Sequence, residues 1–598
     1  MIRVSLLVAF TLCLASAAIA QAPKQPTATS ALCTRAHAID STKEQILFTR
    51  TFDRTVQRIA VLLRAADLLW PHDQERSLAT FMEAFDLAVQ DFKEQGDQIR
   101  RTSQSQYAAV IALPDQRFKV ISALARRDPA RARKLTEQVL DEAAREAADK
   151  PAADPRSQLT TAEKLLTLAH GLAATDVAAA LSFARQSLRY PATLHLNTFL
   201  YQLARTDQRA ADLLWQEALV AYRAAPMDQF LYLSAYAFGN TRDAGEMPSY
   251  TIYAVPEGFS VNVALPNLFT KQLLARAQAG LDSGVDAAAQ RLSDNAQMWL
   301  ALNRLEPQIR NFFPALTDEA VQARDRLFAV LTPPTQGRVT TTFAGDNLPK
   351  KTFDELIEAA EKRSDPGNRD RELTFAALQS SKNQPTEKVL SVIDKISDSK
   401  LRDGVLMWFY FFNTQSLIKD KEVVQARKSA AKVADLDLRA YLFSRIAEES
   451  IKDSEDQTQA RELLNEIADA AAKAPKTIVS ARALLALANL YAKLDVNRGI
   501  EELGNAVKTI NAIESPDFSQ QFTMMKLEGK TFGSFASFPT PGFNPENAFR
   551  EMGKIDFDNS LQQATAFADK SLRALTTLAV IEPCLELPAK PAPKKAKQ

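Results

Sequence analysis

The sequence predicts an all-α protein: a superhelical array of helical hairpins, an α-solenoid in two halves, with short aromatic extended or hairpin inserts. Three observations predict it. A helix–turn–helix stretch, Phe199 to Arg223, recurs in degraded copies along the chain. Apolar residues return at helical spacing, as at Val56, Ile59, Leu62, Leu63 and Ala66. Glycine is scarce, 17 in 598 residues, whereas an α/β enzyme of this length needs many more for its turns and phosphate loops, at an average usage of about 7%.

The hairpin unit has a local grammar. Leu203 and Ala204 close a first helix, and Asp207 opens a second. An aspartate there accepts hydrogen bonds from free N–H groups of the next turn. Ala211 and Leu219 follow at four and twelve residues, a small and a large apolar position on one side. The same order appears at Asp73 with Ser77 and Phe85, at Asp128 with Ala132 and Leu140, at Asp176 with Ala180 and Leu188, and at Asp495 with Gly499 and Val507. A sixth copy, at Asp456 with Ala460 and Ala468, has a longer turn before it.

Leu485 to Val507 resembles a tetratricopeptide repeat. Leu487, Ala488 and Tyr491 match its first helix, and Gly499, Leu503 and Ala506 match its second. The aspartates, however, are spaced by 55, 48, 31 and, after a gap, 39 residues, where a regular array keeps to about 34. The resemblance implies stacked hairpins and a tendency to bind partners, and no particular ligand.

In chain order, residues 1–20 read as a secretory signal: Arg3, an apolar run from Val4 to Ser16, and Ala18-Ile19-Ala20 before Gln21. The run is short for a span of about 20 residues, so a periplasmic or secreted protein with no integral membrane segment after cleavage is expected. Residues 21–34 read as a flexible leader, 35–225 as an N-terminal repeat block, and 226–331 as an aromatic insert plus helices. Residues 332–351, with Pro333, Pro334, Gly337 and Gly345, read as a linker. Residues 352–513 form a second repeat block, in which Val405 to Phe412 reads as a fully buried helix. Residues 514–587 hold a second aromatic insert with a hairpin turning at Glu528-Gly529-Lys530, then helices Pro545–Met552 and Asp558–Ile581. Residues 588–598, rich in Lys, Pro and Ala, read as a disordered tail.

Of three cysteines, cleavage leaves Cys33 and Cys584 near the two ends of the folded region. In an oxidising compartment they either bridge, which would curl the array back on itself, or remain separate thiols. Charges nearly cancel, at +1 overall, and nothing argues for a nucleic-acid partner.

No catalytic, cofactor or metal motif appears. None of the four histidines stands in H-x-x-x-H spacing, and there is no G-x-S-x-G elbow, P-loop or G-x-G-x-x-G. The recurrent aspartates share a helix-start position, so capping accounts for them. The enzymatic alternative is an (α/α) toroid-like glycosidase or lyase using two carboxylates across a cleft. The preferred expectation is an exported, non-enzymatic scaffold binding a protein or peptide partner in its concave face. The candidate partner-binding residues are Tyr250, Tyr253, Phe259, Phe532, Phe535 and Phe538, on inserts held by a rigid scaffold. Folding back of these aromatics onto the array is the competing expectation.

Overall fold

The structure, a computed structural model, describes residues 30–95, 99–101, 110–112, 115–148, 155–240, 244, 255–282, 292–347, 351–379, 384–452, 457–520, 522–530 and 532–586. It is all-α apart from two short antiparallel strand pairs, β1 (Ile99–Arg101) with β2 (Val110–Ala112), and β3 (Phe522–Glu528) with β4 (Gly533–Pro539). The chain forms two compact units. A central unit holds residues 42–413 and 524–536; a terminal unit holds residues up to 41, 414–523, and those from 537 on.

Each unit is built from helical hairpins, so the chain is a helical-repeat protein. In the central unit Thr55–Leu69 packs on Gln74–Gln95, Gln116–Ala125 on Pro129–Ala148, Pro155–Leu172 on Val177–Ser187, and Asp294–Phe312 on Pro314–Val330. In the terminal unit Leu436–Lys452 packs on Gln457–Lys473, and Ile478–Tyr491 on Val496–Asn511.

The turn is the same wherever the aspartate signature occurs. Asp207 breaks the helix His195–Ala221 with φ −150° and ψ 86°, and its carboxylate accepts from Ala210 N at 2.9 Å. Asp73, Asp128, Asp176 and Asp495 accept from the N–H three residues on at 2.9–3.2 Å. In these four the aspartate N–H also donates to the carbonyl four residues back, and its own carbonyl accepts from the N–H four residues ahead. One residue therefore ends one helix and starts the next, which fixes the angle between them. Asp456 lies outside the described residues. Asp207→Ala is expected to destabilise the central unit by about 1 kcal/mol, read from thermal melting. A larger loss of partner binding at unchanged melting would show a role beyond capping.

The small residue four positions after the cap is buried in all five hairpins. At Gly499 an added Cβ would lie 3.0 Å from Ala488 O and Ala492 N, so the two helix backbones touch there. The next anchors are at eight and eleven residues: Phe81 and Ala84, Thr136 and Val139, Ala184 and Ser187, Trp215 and Ala218, Leu503 and Ala506 are all buried. The twelfth position is buried at Phe85 and Val507 but only half-buried at Leu140, Leu188 and Leu219. Eight and eleven continue the 3.6-residue period from four, whereas twelve drifts off the seam.

The stride between layers is regular only in places. Lys388–Asp354, Lys395–Glu361, Tyr201–Ala235, Arg427–Glu462, Arg461–Leu494 and Arg185–Glu217 bond successive layers across 34, 34, 34, 35, 33 and 32 residues. Elsewhere the links span 60, 49 and 45 residues, at Arg127–Asp67, Lys164–Asp115 and Arg482–Asp437, so the array departs from the interval of about 34 of the resembled repeat. Other helices start with caps outside the aspartate signature: Ser293, the capping box Thr352–Glu355, Asp365, Asp398, Asp435 and Thr477.

Four expectations change. The segment read as a linker, 332–351, contains helix Pro333–Asn347. Its prolines stand in the first turn, where a missing N–H costs nothing. Gln336 Nε2 donates to Phe328 O at 2.8 Å and Val339 is fully buried. The boundary between units falls instead at 413/414, inside helix Ser399–Lys419. Val405 to Phe412 is helical but not fully buried. Val405 and Phe411 are enclosed while Phe412 is 40% exposed, because a helix apolar on every side can bury only the sides its neighbours meet. The single last helix is two, Phe557–Thr565 and Lys570–Leu585. Phe567 turns inward against Phe549 between them, and Asp569 caps the second.

A buried ion cluster ties the hairpin beginning at Gln116 to helix Pro155–Leu172. Asp115 accepts from Arg117 at 2.9–3.1 Å and from Lys164 at 3.3 Å, and the Arg117 guanidinium lies over the Phe92 ring. Burial pushes the Asp115 carboxyl up, but hydrogen bonds from Arg117 and the Lys164 charge outweigh it and hold it below the ordinary carboxylate range. A depressed folded pKa contributes stability that is present above the unfolded value of about 3.9 and lost as pH falls through the folded value. Melting of the native protein should therefore weaken below about pH 4, and Asp115→Asn should remove part of that acid dependence. An identical acid profile in the variant would show that the carboxylate does not contribute.

Candidate functional site

The hairpin β3–β4 is the element best placed to display a side chain. Its tip is closed by Gly529 N donating to Phe532 O at 2.9 Å, at the turn expected from Glu528-Gly529-Lys530. A side chain at Gly529 would collide with the Phe532 ring, so only glycine fits there. Burial along β3 alternates strictly, with Thr523, Met525 and Leu527 inward and Met524, Lys526 and Glu528 outward. Leu527 and Phe532 enter a core with Phe353, Leu356, Leu401 and Val405. Phe532 also lies 5.7 Å from the Phe375 ring. Gly404 makes room: a Cβ there would lie 2.9 Å from Leu527 Cδ1.

Within the terminal unit, the residues at the base of the hairpin, away from its tip, are held by Arg482. It stands in the largely buried helix Ile478–Tyr491, as its one charged residue, and is 5% exposed. Its Nε donates to Asp437 Oδ1 at 3.0 Å and its Nη1 to Gln520 O at 2.9 Å. Its Nη2 reaches Thr523 Oγ1 and Thr540 Oγ1, each at 2.9 Å. Asp437 in turn accepts from Thr523 Oγ1 at 2.6 Å. Sequence reasoning missed this cluster; the signal was a lone charged residue, Arg482, in a helix dominated by Ala and Leu.

The expected partner-binding aromatics have separate surroundings. Phe535 is 74% exposed on β4. Phe532 is half-buried in the core just described, and Phe538 is half-buried against Tyr441, with ring centroids 5.6 Å apart. Phe259 is half-buried between Tyr201 and Tyr236, edge-to-face at 5.3 and 5.4 Å. Tyr250 and Tyr253, and most of the first strand expected beside Pro256-Glu-Gly258, lie outside the described residues. The turn is present, with Gly258 at φ 79°, but 259–263 is not a strand. Its polar groups are taken by a helix instead. Gln208 Nε2 donates to Ser260 O at 2.6 Å, and Asn262 Nδ2 to Asp212 Oδ2 at 2.8 Å. Asp212 also accepts from the Tyr236 hydroxyl at 2.9 Å. Burial, with Asp212 beside it, raises that hydroxyl far above the ordinary tyrosine range.

Cys33 and Cys584 are joined by a disulfide within the terminal unit, with Cα atoms 5.2 Å apart and a sequence separation of 551. Arg35 Nε donates to Leu585 O at 3.2 Å, and Ser30 Oγ to Asp558 Oδ1 at 2.6 Å, on either side of the bridge.

A groove of about 640 Å³ runs between Val423–Ala430 and Gln457–Lys473. Val424, 56% exposed, and Ala431 lie along it beside Arg427, Lys428, Thr458 and Gln459. Its carboxylates, Glu462 and Glu466, sit one turn apart on one helix, and both pair with Arg427, at 2.9 and 3.6 Å. Acid–base chemistry on a sugar needs two carboxyls facing each other across it, and this groove does not offer that. A smaller pocket of about 150 Å³ holds Asp370, Asp398 and Lys530. Asp370 there is engaged by Ser397 N, Ser397 Oγ and Asp398 N at 2.7–3.0 Å. Burial raises its carboxyl, and these bonds more than offset that, leaving it below the usual range. Among the described residues no group of three or more His, Cys, Asp or Glu is placed to hold a metal, and no helix is long and apolar enough to cross a membrane.

No protein-family model matches the chain, and no curated protein matches it. Among solved structures the chain is similar to one described as a circular tandem repeat protein with novel repeat topology and enhanced subunit contact surfaces. The identity is 12%, over 92% of this chain and 96% of that one, with a TM-score of 0.13.

Proposed function

We propose that the protein is an exported, non-catalytic helical-repeat scaffold that holds a protein or peptide partner in the cell envelope. The observation that carries this reading is the exposure of Phe535, 74%, on β4, whose paired strand β3 is anchored in a core through Leu527. A large apolar side chain on a rigid support binds with little loss of conformational freedom, which is how interface anchors act. The signal-like segment 1–20 and the bridge between Cys33 and Cys584 support export to an oxidising compartment.

The test is a photo-crosslinking amino acid placed at Phe535 in whole cells, with the same group at the exposed helical residue Leu213 for comparison. A discrete adduct at Phe535, absent at Leu213, is the expected result. No adduct at Phe535, together with turnover of an envelope polysaccharide by the purified protein, would favour the glycosidase or lyase reading instead.

A further inference from the structure

We infer that the outer edge of β4 is a strand-docking site for an extended peptide. The inference rests on the partner-binding reading and names the segment of backbone that does the binding. The Gly529–Phe532 bond sets the register of the hairpin. A connection this tight joins antiparallel strands, in which bonded and non-bonded pairs alternate. Counting from 529 and 532, Leu527 faces Ser534 and Met525 faces Ala536 as bonded pairs. Lys526 faces Phe535 and Glu528 faces Gly533 as non-bonded pairs, whose N–H and C=O groups point away from the partner strand. The side chains of Lys526, Glu528, Gly533 and Phe535 share one exposed face of the ribbon.

Phe535 and Gly533 therefore turn main-chain donors and acceptors outward. Among the described residues the sheet holds only β3 and β4, so no third strand pairs with the outer edge of β4. The two edges of the ribbon differ. The β3 edge carries Lys526 and Glu528, charges of the kind that discourage another strand from pairing. The β4 stretch Gly-Ser-Phe-Ala-Ser-Phe-Pro carries no charge at all, so nothing electrostatic guards its edge.

The open edge is too short for self-association to be its purpose. A seven-residue strand offers a second copy much less than the roughly 800 Å² per partner of a stable interface. An added peptide strand needs only main-chain bonds and a pocket or neighbour for alternate side chains. The fitting ligand is an extended segment, uncharged at its centre, with an apolar or aromatic residue beside Phe535.

The test uses the full-length protein and a fluorescein-labelled peptide, Thr-Val-Thr-Phe-Thr-Val-Thr, followed by anisotropy. Saturable binding is expected. Phe535→Pro, which removes the outward N–H while leaving the bonded pairs intact, should weaken it about tenfold. Phe535→Lys, which restores an edge charge, should do the same. Both should melt as the native protein does. Saturable binding unaffected by either variant would place the peptide elsewhere and overturn the inference, as would no saturable binding. A native dimer dissolved by Phe535→Lys in sedimentation would also overturn it, by assigning the edge to a second copy. A discrete whole-cell adduct at Phe535 combined with failure of the peptide assay would sink only the strand-docking claim, leaving the scaffold reading standing.

Discussion

Arg482→Met is expected to destabilise the terminal unit by about 3–5 kcal/mol, more than any cap or surface change. The guanidinium makes five hydrogen bonds to Asp437, Gln520, Thr523 and Thr540 and is nearly inaccessible to water. Methionine preserves much of the volume but strands Asp437, whose side chain is 14% exposed. A charge left without its counterion in a poorly solvated site is the costly event, since desolvation is no longer offset by attraction. Adding Asp437→Leu to the first substitution should recover part of the loss, because two apolar groups can replace a buried pair at little cost. Urea unfolding of both variants reads the difference. A single-variant loss below about 1 kcal/mol, typical of exposed pairs, would mean that water reaches the site and that the cluster is ornamental to stability.

The second large effect is expected at Cys33 and Cys584. Replacing both with serine should destabilise the terminal unit by about 2–5 kcal/mol. The bridge closes a span of 551 residues, and long loops lose the most freedom when they are cross-linked in the unfolded chain. Only a short N-terminal segment of the terminal unit precedes residue 42. Without the bridge it is held by Ser30–Asp558, Arg35–Leu585 and the start of helix Arg35–Phe48. Limited proteolysis should then cut the serine variant near residue 35 well before the native protein. Equal melting and equal cleavage with and without reductant would show that packing alone holds the segment.

Much of the architecture is legible in the amino-acid order because a helix start is a local event. An aspartate and an N–H three residues away suffice to make a cap, and Asp73, Asp128, Asp176, Asp207 and Asp495 behave as their spacing predicts. Helical period similarly exposed the hairpin seams, and the turn at Glu528-Gly529-Lys530 announced β3–β4. The remaining hairpins were not legible, because helices opened by Ser293, Thr352 or Asp398 lack the Leu-Ala, Leu-Trp or Tyr-Ala pair that precedes the signature aspartates.

What the residues could not settle by themselves was which aromatic is covered. Phe532 and Phe535 stand three apart in one apolar stretch and look interchangeable. In a strand, side chains alternate, so an odd separation sends them to opposite faces. Gly404 and the core around Leu401 then decide which face is inside. Arg482 likewise meets Asp437 across 45 residues and Thr540 across 58. Caps and periods arise from neighbours along the chain and can be read there. Burial and ion pairing depend on which distant surfaces the hairpins bring together, so tertiary structure alone determines that Phe535 is presented and Phe532 packs against a core.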